Sequence, residues 1–290
     1  MRKHLLVTIS GDTSAMYGVR FFSSFFTNKA ETGCTLLYVA PNPSAALSMS
    51  ELHRDMENVL KQTEELRRKG DAALERARDY LVQAGFPAQN VSVKLGFRQR
   101  STALDIIDEG VKGMYDAIVM GRRGLSRLEE LVQDSVSRVV ATTRMEIPIW
   151  ISHTPDADRA NVLLCVDGSD QSLRAADHVG FVLADEPGHT VRLYHIWDPA
   201  KEDLLEAQDI IDQAREVLLS NGLPEGRISQ QIDRGTASAR RIVHEAEKGG
   251  YAVIAVGRSG ADRPFMGVFM GSVSLSLLRS LGKSALWVSH

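Results

Sequence analysis

The chain repeats itself, and that repeat constrains its fold more than any other feature. Leu5-Leu-Val-Thr-Ile-Ser-Gly11 returns as Val162-Leu-Leu-Cys-Val-Asp-Gly168, and Thr35-Leu-Leu-Tyr-Val39 as Val191-Arg-Leu-Tyr-His195. Asp116-Ala-Ile-Val-Met-Gly-Arg-Arg-Gly124 returns as Ala252-Val-Ile-Ala-Val-Gly-Arg-Ser-Gly260, and Ile149-Trp-Ile-Ser-His153 as Leu286-Trp-Val-Ser-His290. Four matches in one order define a duplicated domain. With 290 residues there is room for two cores. The polar, proline-containing stretch Thr154-Pro-Asp-Ala-Asp-Arg-Ala160 marks the join, giving expected domains at 1–153 and 160–290.

Within each half, short β-rich apolar runs alternate with longer helical patterns, the signature of βαβ units around a parallel sheet. Strands are expected near 4–9, 34–39, 91–95, 116–120 and 147–152, and again near 161–166, 190–196, 228–232, 252–256 and 285–289. Between the second and third strands, Leu52, Met56, Val59 and Leu60 recur at helical spacing, as do Leu204, Ala207, Ile211, Ala214 and Leu218. Gly85 and Gly222 are expected helix stops. From Gly11 to Gly121 is 110 positions, but from Gly168 to Gly257 only 89. Tyr38 to Gly96 spans 58 against 41 from Tyr194 to Gly235, so the first half carries an extended loop and helix over 42–84. Its segment Lys61-Gln-Thr-Glu-Glu-Leu-Arg-Arg-Lys-Gly70 reads as a solvated helical face.

A formal net charge of −3 argues against a nucleic-acid partner, which favours a basic surface. The apolar run after Met1-Arg-Lys-His is shorter than a signal sequence needs, and nothing reaches membrane-span length. The expectation is a cytoplasmic protein with no membrane partner. Cys34 and Cys165 lie in strand-like runs without neighbouring Cys or ligand-spaced His, so buried free thiols are expected.

In an open parallel sheet, ligands bind beyond the carboxyl ends of the strands, where strand order reverses. After strand one of the second half comes Asp167-Gly-Ser-Asp-Gln-Ser172. Its carboxylate suits a sugar or base, and Gly168 suits a tight turn, although an N-cap from Ser169 or Asp170 accounts for part of the pattern. After strand four, Gly257-Arg-Ser-Gly260 is followed by ten residues and then Gly271-Ser272-Val273. Clustered glycines and a helix start bring backbone N–H groups and a positive dipole end to an anion. No Walker lysine motif is present. Ser10-Gly-Asp-Thr-Ser14 departs from the pyrophosphatase loop Ser-Gly-Gly-x-Asp-Ser by lacking its second glycine.

A strand ending in Asp-Gly-Ser, with Gly-x2-Gly and a later Gly-Ser after strand four, resembles the ATP-binding branch of the universal stress proteins. The resemblance covers nearly the whole chain as two copies. It implies two tandem doubly wound five-stranded parallel sheets of order 3-2-1-4-5, an adenine nucleotide alpha-hydrolase-like α/β fold. It also implies that Asp167 and the backbone of Ile196 hold the adenosine of ATP or AMP, while Gly257, Gly260, Gly271, Ser272 and the N–H of Val273 line the phosphates. Mg2+ or Mn2+ is the expected accompanying ion, its protein ligands unassigned. The second half departs from the family by one residue, having ten rather than nine between Gly260 and Gly271. The first half departs further: Ser10 stands at the Asp position, and Asp134 replaces the third phosphate-facing glycine, which marks this site as silent.

These features support a stress or regulatory protein that binds nucleotide in its second half. A structural stress protein without nucleotide and a slow ATP hydrolase are the alternatives; no residue stands out as a general base or other catalytic group. The apolar fifth strands around Trp150 and Trp287 are expected to join the halves as a pseudo-dimer with both indoles buried; a homodimer through such an edge is the related possibility.

Overall fold

In the computed structural model the described residues are 3–10, 16–45, 47–121, 147–152, 154–258 and 271–289. Ten strands form one continuous sheet: β1 (Lys3–Ile9), β2 (Thr32–Ala40), β3 (Val91–Phe97), β4 (Ile118–Gly121), β5 (Ile149–Ser152), β6 (Val162–Cys165), β7 (Val191–Trp197), β8 (Ile228–Arg234), β9 (Val253–Gly257) and β10 (Ala285–Ser289). Their order is β3-β2-β1-β4-β5-β10-β9-β6-β7-β8. Each half therefore has the expected order 3-2-1-4-5. All pairings are parallel except β5 with β10 at the centre. The eight inner strands are buried on both faces and read as nearly unbroken apolar runs, whereas the edge strands β3 and β8 are largely exposed or half-buried.

The helices are α1 (Met16–Phe25), α2 (Met49–Arg54), α3 (Met56–Gln83), α4 (Thr102–Lys112), α5 (Asp170–Leu183), α6 (Leu204–Ser220), α7 (Ala239–Gly249) and α8 (Ser272–Ser280). Ala207, Ile211, Ala214 and Leu218 of α6 are fully buried, whereas Leu204 is exposed. Gly85 and Gly222 have positive φ after α3 and α6, as helix stops require.

The helical spacing of Met56, Val59 and Leu60 falls within α3, but this stripe does not meet the core: Met56 and Leu60 are exposed, Leu60 at 62%, and Val59 is half-buried. Contact with the core comes instead from Gly70, Ala73, Leu74, Ala77 and Leu81. At about 1.5 Å per residue, the 28-residue α3 outruns the seven- to nine-residue strands beneath it, so its first turns overhang. The charged segment from Lys61 is solvated, with Lys61–Glu57 and Lys69–Glu65 ion pairs along it.

One expectation, the register of the repeat, needs correction. Leu5 pairs with Cys34, and its equivalent Val162 pairs with Val191. Cys34 is thus the counterpart of Val191, and Tyr38 that of His195 rather than Tyr194. A one-residue slip moves a side chain to the other face of a sheet; aligning the two tyrosines would do so. Cys34 and Val191 pair in turn with Val91 and Ile228, separations of 57 and 37 positions. This difference of 20 holds nearly all of the 21-residue disparity between the halves.

At the central seam, Trp287 lies opposite Trp150. Both indoles are fully buried and stack with centroids 3.8 Å apart. Trp150 Nε1 donates to His178 Nε2 at 3.0 Å, while Trp287 Nε1 has no partner among the described residues. Polar contacts secure the same seam. Lys3 pairs with Asp185 at 3.1 Å, and the buried Glu186 carboxylate accepts from Thr27 N (2.8 Å) and Asn28 N (3.2 Å).

Candidate functional site

A cavity of about 600 Å³ opens at the carboxyl ends of β6, β7 and β9. This is where strand order reverses in the second half, since β6 runs on to β7 on one side and lies against β9 on the other. Its walls divide by chemistry. Val166, Ile196, Ile242 and Val256 are apolar, Asp167, Lys201 and Glu202 are charged, and Gly271, Ser272, Val273 and Ser274 form the start of α8.

Asp167 follows β6 by two residues, and its Oδ1 accepts from Ser169 N (3.1 Å) and Ser169 Oγ (2.6 Å). Ser169 is itself the N-cap of α5, accepting from Ser172 N at 3.2 Å. Gly168 has φ +76°, so the turn needs glycine between carboxylate and cap. The capping account and the cavity-lining position of Asp167 therefore coexist in one loop. Gly257 has a packing explanation as well. A Cβ there would lie 2.7 Å from Gln171 C and 2.8 Å from Ser172 N, so glycine lets β9 approach the first turn of α5.

Gly271 N donates to Arg258 O at 2.7 Å, and Ser274 Oγ donates to Gly257 O at 3.0 Å. These bonds hold the start of α8 against the end of β9. Gly271 is the N-cap and supplies no side-chain cap, and the first N–H groups of a helix have no acceptor within it. Ile196 is buried on β7 and lines the same cavity. Asp167, Ile196, Gly257, Gly271, Ser272 and Val273 thus converge on one space. Gly260, like the spacer after it, lies outside the described residues.

Lys201, Glu202, Asp198, Thr236 and Ala237 also line the cavity and were not singled out from the sequence. The signal for them was positional: they follow the carboxyl ends of strands two and three, as the glycine loops follow strand four. Tyr194 Oη donates to Asp233 Oδ2 at 2.8 Å, and burial with this carboxylate pushes the phenol up from its ordinary value. Burial likewise pushes up the Cys165 thiol at the cavity wall and that of Cys34 in the other core. Both cysteines are free. No group of three His, Cys, Asp or Glu side chains able to hold a metal is found among the described residues.

In the first half Ser10 stands where Asp167 stands in the second; its Oγ is buried and has no partner among the described residues. Asp134, Gly124, His153 and His290 are outside the described residues. No described helix is long and apolar enough to cross a membrane.

Comparison with known proteins agrees with this architecture. A universal stress protein from Archaeoglobus fulgidus DSM 4304 superposes with a TM-score of 0.67 at 16% identity, over 100% of this chain and 96% of its own. A functionally unknown protein from Pseudomonas aeruginosa PAO1 gives 0.51 at 14% identity, over 99% and 92%. A universal stress protein in complex with cAMP matches 45% of this chain and 96% of its own, at 20% identity and a TM-score of 0.37. No curated protein matches the sequence. The family model of the universal stress proteins matches twice, over residues 1–152 and 159–289. The chain belongs to the universal stress protein family, as a tandem of two of its domains.

Proposed function

We propose that the second half binds an adenine nucleotide, ATP or AMP, and that occupancy serves a regulatory role in a stress response. The observation that carries this reading is the start of α8, capped by Gly271 without a side chain, opening into the cavity that Asp167 and Ile196 also line. The first N–H groups of α8, which have no acceptor within the helix, and its positive end suit phosphate; Val166, Ile196, Ile242 and Val256 suit a base; Asp167 suits ribose hydroxyls. The volume lies within the usual range for small-molecule sites. Mg2+ or Mn2+ would come with the phosphates, as such ions commonly do, rather than from a cage of protein ligands. The first half is proposed to be silent, with Ser10 in place of the carboxylate.

Thermal unfolding with and without nucleotide tests this. A ligand at 100 times its Kd stabilises by about 2.7 kcal/mol. Asp167→Ala should reduce that gain, and Ser10→Ala should leave it unchanged. Failure of millimolar ATP, ADP or AMP to stabilise the wild type would return the chain to the purely structural reading. Phosphate release that tracks occupancy would instead favour the slow hydrolase.

A further inference from the structure

His195 lines the cavity, with both ring nitrogens engaged by acceptors. Nδ1 is 2.8 Å from Val166 O, and Nε2 is 2.9 Å from Glu202 Oε1. The ring is 5% exposed and Glu202 is mostly covered. A neutral imidazole carries one N–H and one lone pair, so it cannot donate to a carbonyl and to a carboxylate together. Both contacts are hydrogen bonds only when the His195–Glu202 couple holds one proton more than a neutral ring and a free carboxylate. Whether that proton sits on Nε2 or on Oε1, the count is the same.

The couple reaches the loop that forms one side of the site. Glu202 O accepts from Trp197 Nε1 at 2.9 Å, and the loop turns back on itself through Lys201 N to Asp198 O (2.9 Å) and Glu202 N to Asp198 O (3.2 Å). Asp198, Lys201 and Glu202 all line the cavity. His195 therefore ties this loop to the end of β6, one residue before Asp167. The other ionisable groups on the surrounding elements are largely engaged. Asp167 accepts from Ser169, Asp198 from Ala200 N, Asp203 from the N–H groups of Leu205 and Glu206, Glu206 from Asp203 N, and Tyr194 bonds Asp233 on the opposite face. Asp170 opens α5 and Lys201 sits on the loop itself.

We infer that His195 is a positioning residue whose extra proton, shared with Glu202, latches the 198–203 loop over the nucleotide site and makes ligand affinity fall as pH rises. The ligand part rests on the binding reading above; the latch does not. When the couple loses its proton, one of the two contacts sets lone pair against lone pair, and the loop loses its tie. In the first half the equivalent position is Tyr38, which has no ring nitrogens to bridge the two segments.

Glu202→Gln separates the proton from the geometry. A Gln amide donates to a neutral Nε2 while Nδ1–H still donates to Val166 O, so both bonds survive without the extra proton. Calorimetric titration with ATP should show wild-type affinity about tenfold weaker at the alkaline end of the range where the protein stays folded than at the acid end, the scale of one charge-assisted hydrogen bond. Glu202→Gln should hold its affinity across that range. The phosphate's own ionisation is common to both proteins and cancels in the comparison. Flat wild-type affinity, or an equal fall in Glu202→Gln, overturns the inference. If the wild type binds no nucleotide at any pH, the binding reading fails and the latch is judged without ligand. Nitrogen NMR of His195 and carbon NMR of the Glu202 carboxyl that together count the extra proton on either partner, and amide exchange in 198–203 that quickens when it is lost, would sustain it. A couple with a neutral ring and an ionised carboxylate wherever the loop is protected, or exchange indifferent to the loss of the proton, overturns it.

Discussion

The end of the second strand differs between the two halves. In the first, Tyr38 faces α3 at Gly70, where an added Cβ would lie 3.0 Å from the tyrosine ring and 2.5 Å from Leu95. In the second, His195 occupies the equivalent place and reaches the loop before α6 through Glu202. One half uses the position for packing under an elongated helix, and the other for a polar tie beside a cavity. The central seam shows the same divergence. Phe21 and His178 each lie ten residues beyond the equivalent Gly11 and Gly168. Phe21 meets Trp150 edge-on, and His178 gives the Trp150 N–H its acceptor. Equivalent backbone positions thus carry different chemistry where the two copies differ in sequence.

The largest effect should come from breaking the seam. Trp150→Ala should lower unfolding free energy by about 3–5 kcal/mol, as for other large buried aromatics. Trp287→Ala should cost about 1 kcal/mol less, because its N–H has no described partner to lose. Denaturant unfolding measures both; a larger loss for Trp287 would show that the two sides of the stack are not as described.

Next in size is the contrast along α3. Leu74→Ala, in the core-facing part, should cost about 2–5 kcal/mol. Leu60→Ala, on the overhang, should stay within about 0.5 kcal/mol. A comparable loss at both positions would mean that the first turns of α3 are covered.

The smallest effect concerns His178. Burial holds its pKa down to about 3 from an ordinary 6.5. The native ring stays neutral where the unfolded chain takes up a proton, so its contribution is complete above pH 6.5 and drains as pH falls toward 3. His178→Phe copies the first half. It should remove that part of the acid sensitivity while costing about 1–3 kcal/mol at neutral pH by stranding the Trp150 N–H. Unfolding curves at several pH values would decide this; an unchanged acid limb would place the sensitivity elsewhere.

The eight inner strands were legible in the sequence as short apolar runs bounded by polar turns, and the repeat helped to place the more polar edge strands β3 and β8. Register was less legible. The match of Tyr38 with Tyr194 rested on identity, whereas hydrogen-bonded partners decide which face a residue takes. Periodicity announced α3 but could not say where the sheet beneath it ends, so it did not show that Met56 and Leu60 lie exposed on the overhang. The glycine and Asp motifs led to the cavity, yet Gly257 is explained there by contact with Gln171 and Ser172. His195, Lys201 and Glu202 carried no motif. Their meaning depends on a loop folding back over a strand end, which no local pattern encodes.

The antiparallel pairing of β5 with β10 has a consequence for how this protein responds to dilution. In a symmetric pair of separate chains, a seam of this kind dissociates as concentration falls, and the stability of each partner falls with it. Here both strands belong to one polypeptide, so re-pairing after a local opening is unimolecular, at an effective concentration set by the short connection between 152 and 162. The seam should persist however scarce the protein becomes in the cell.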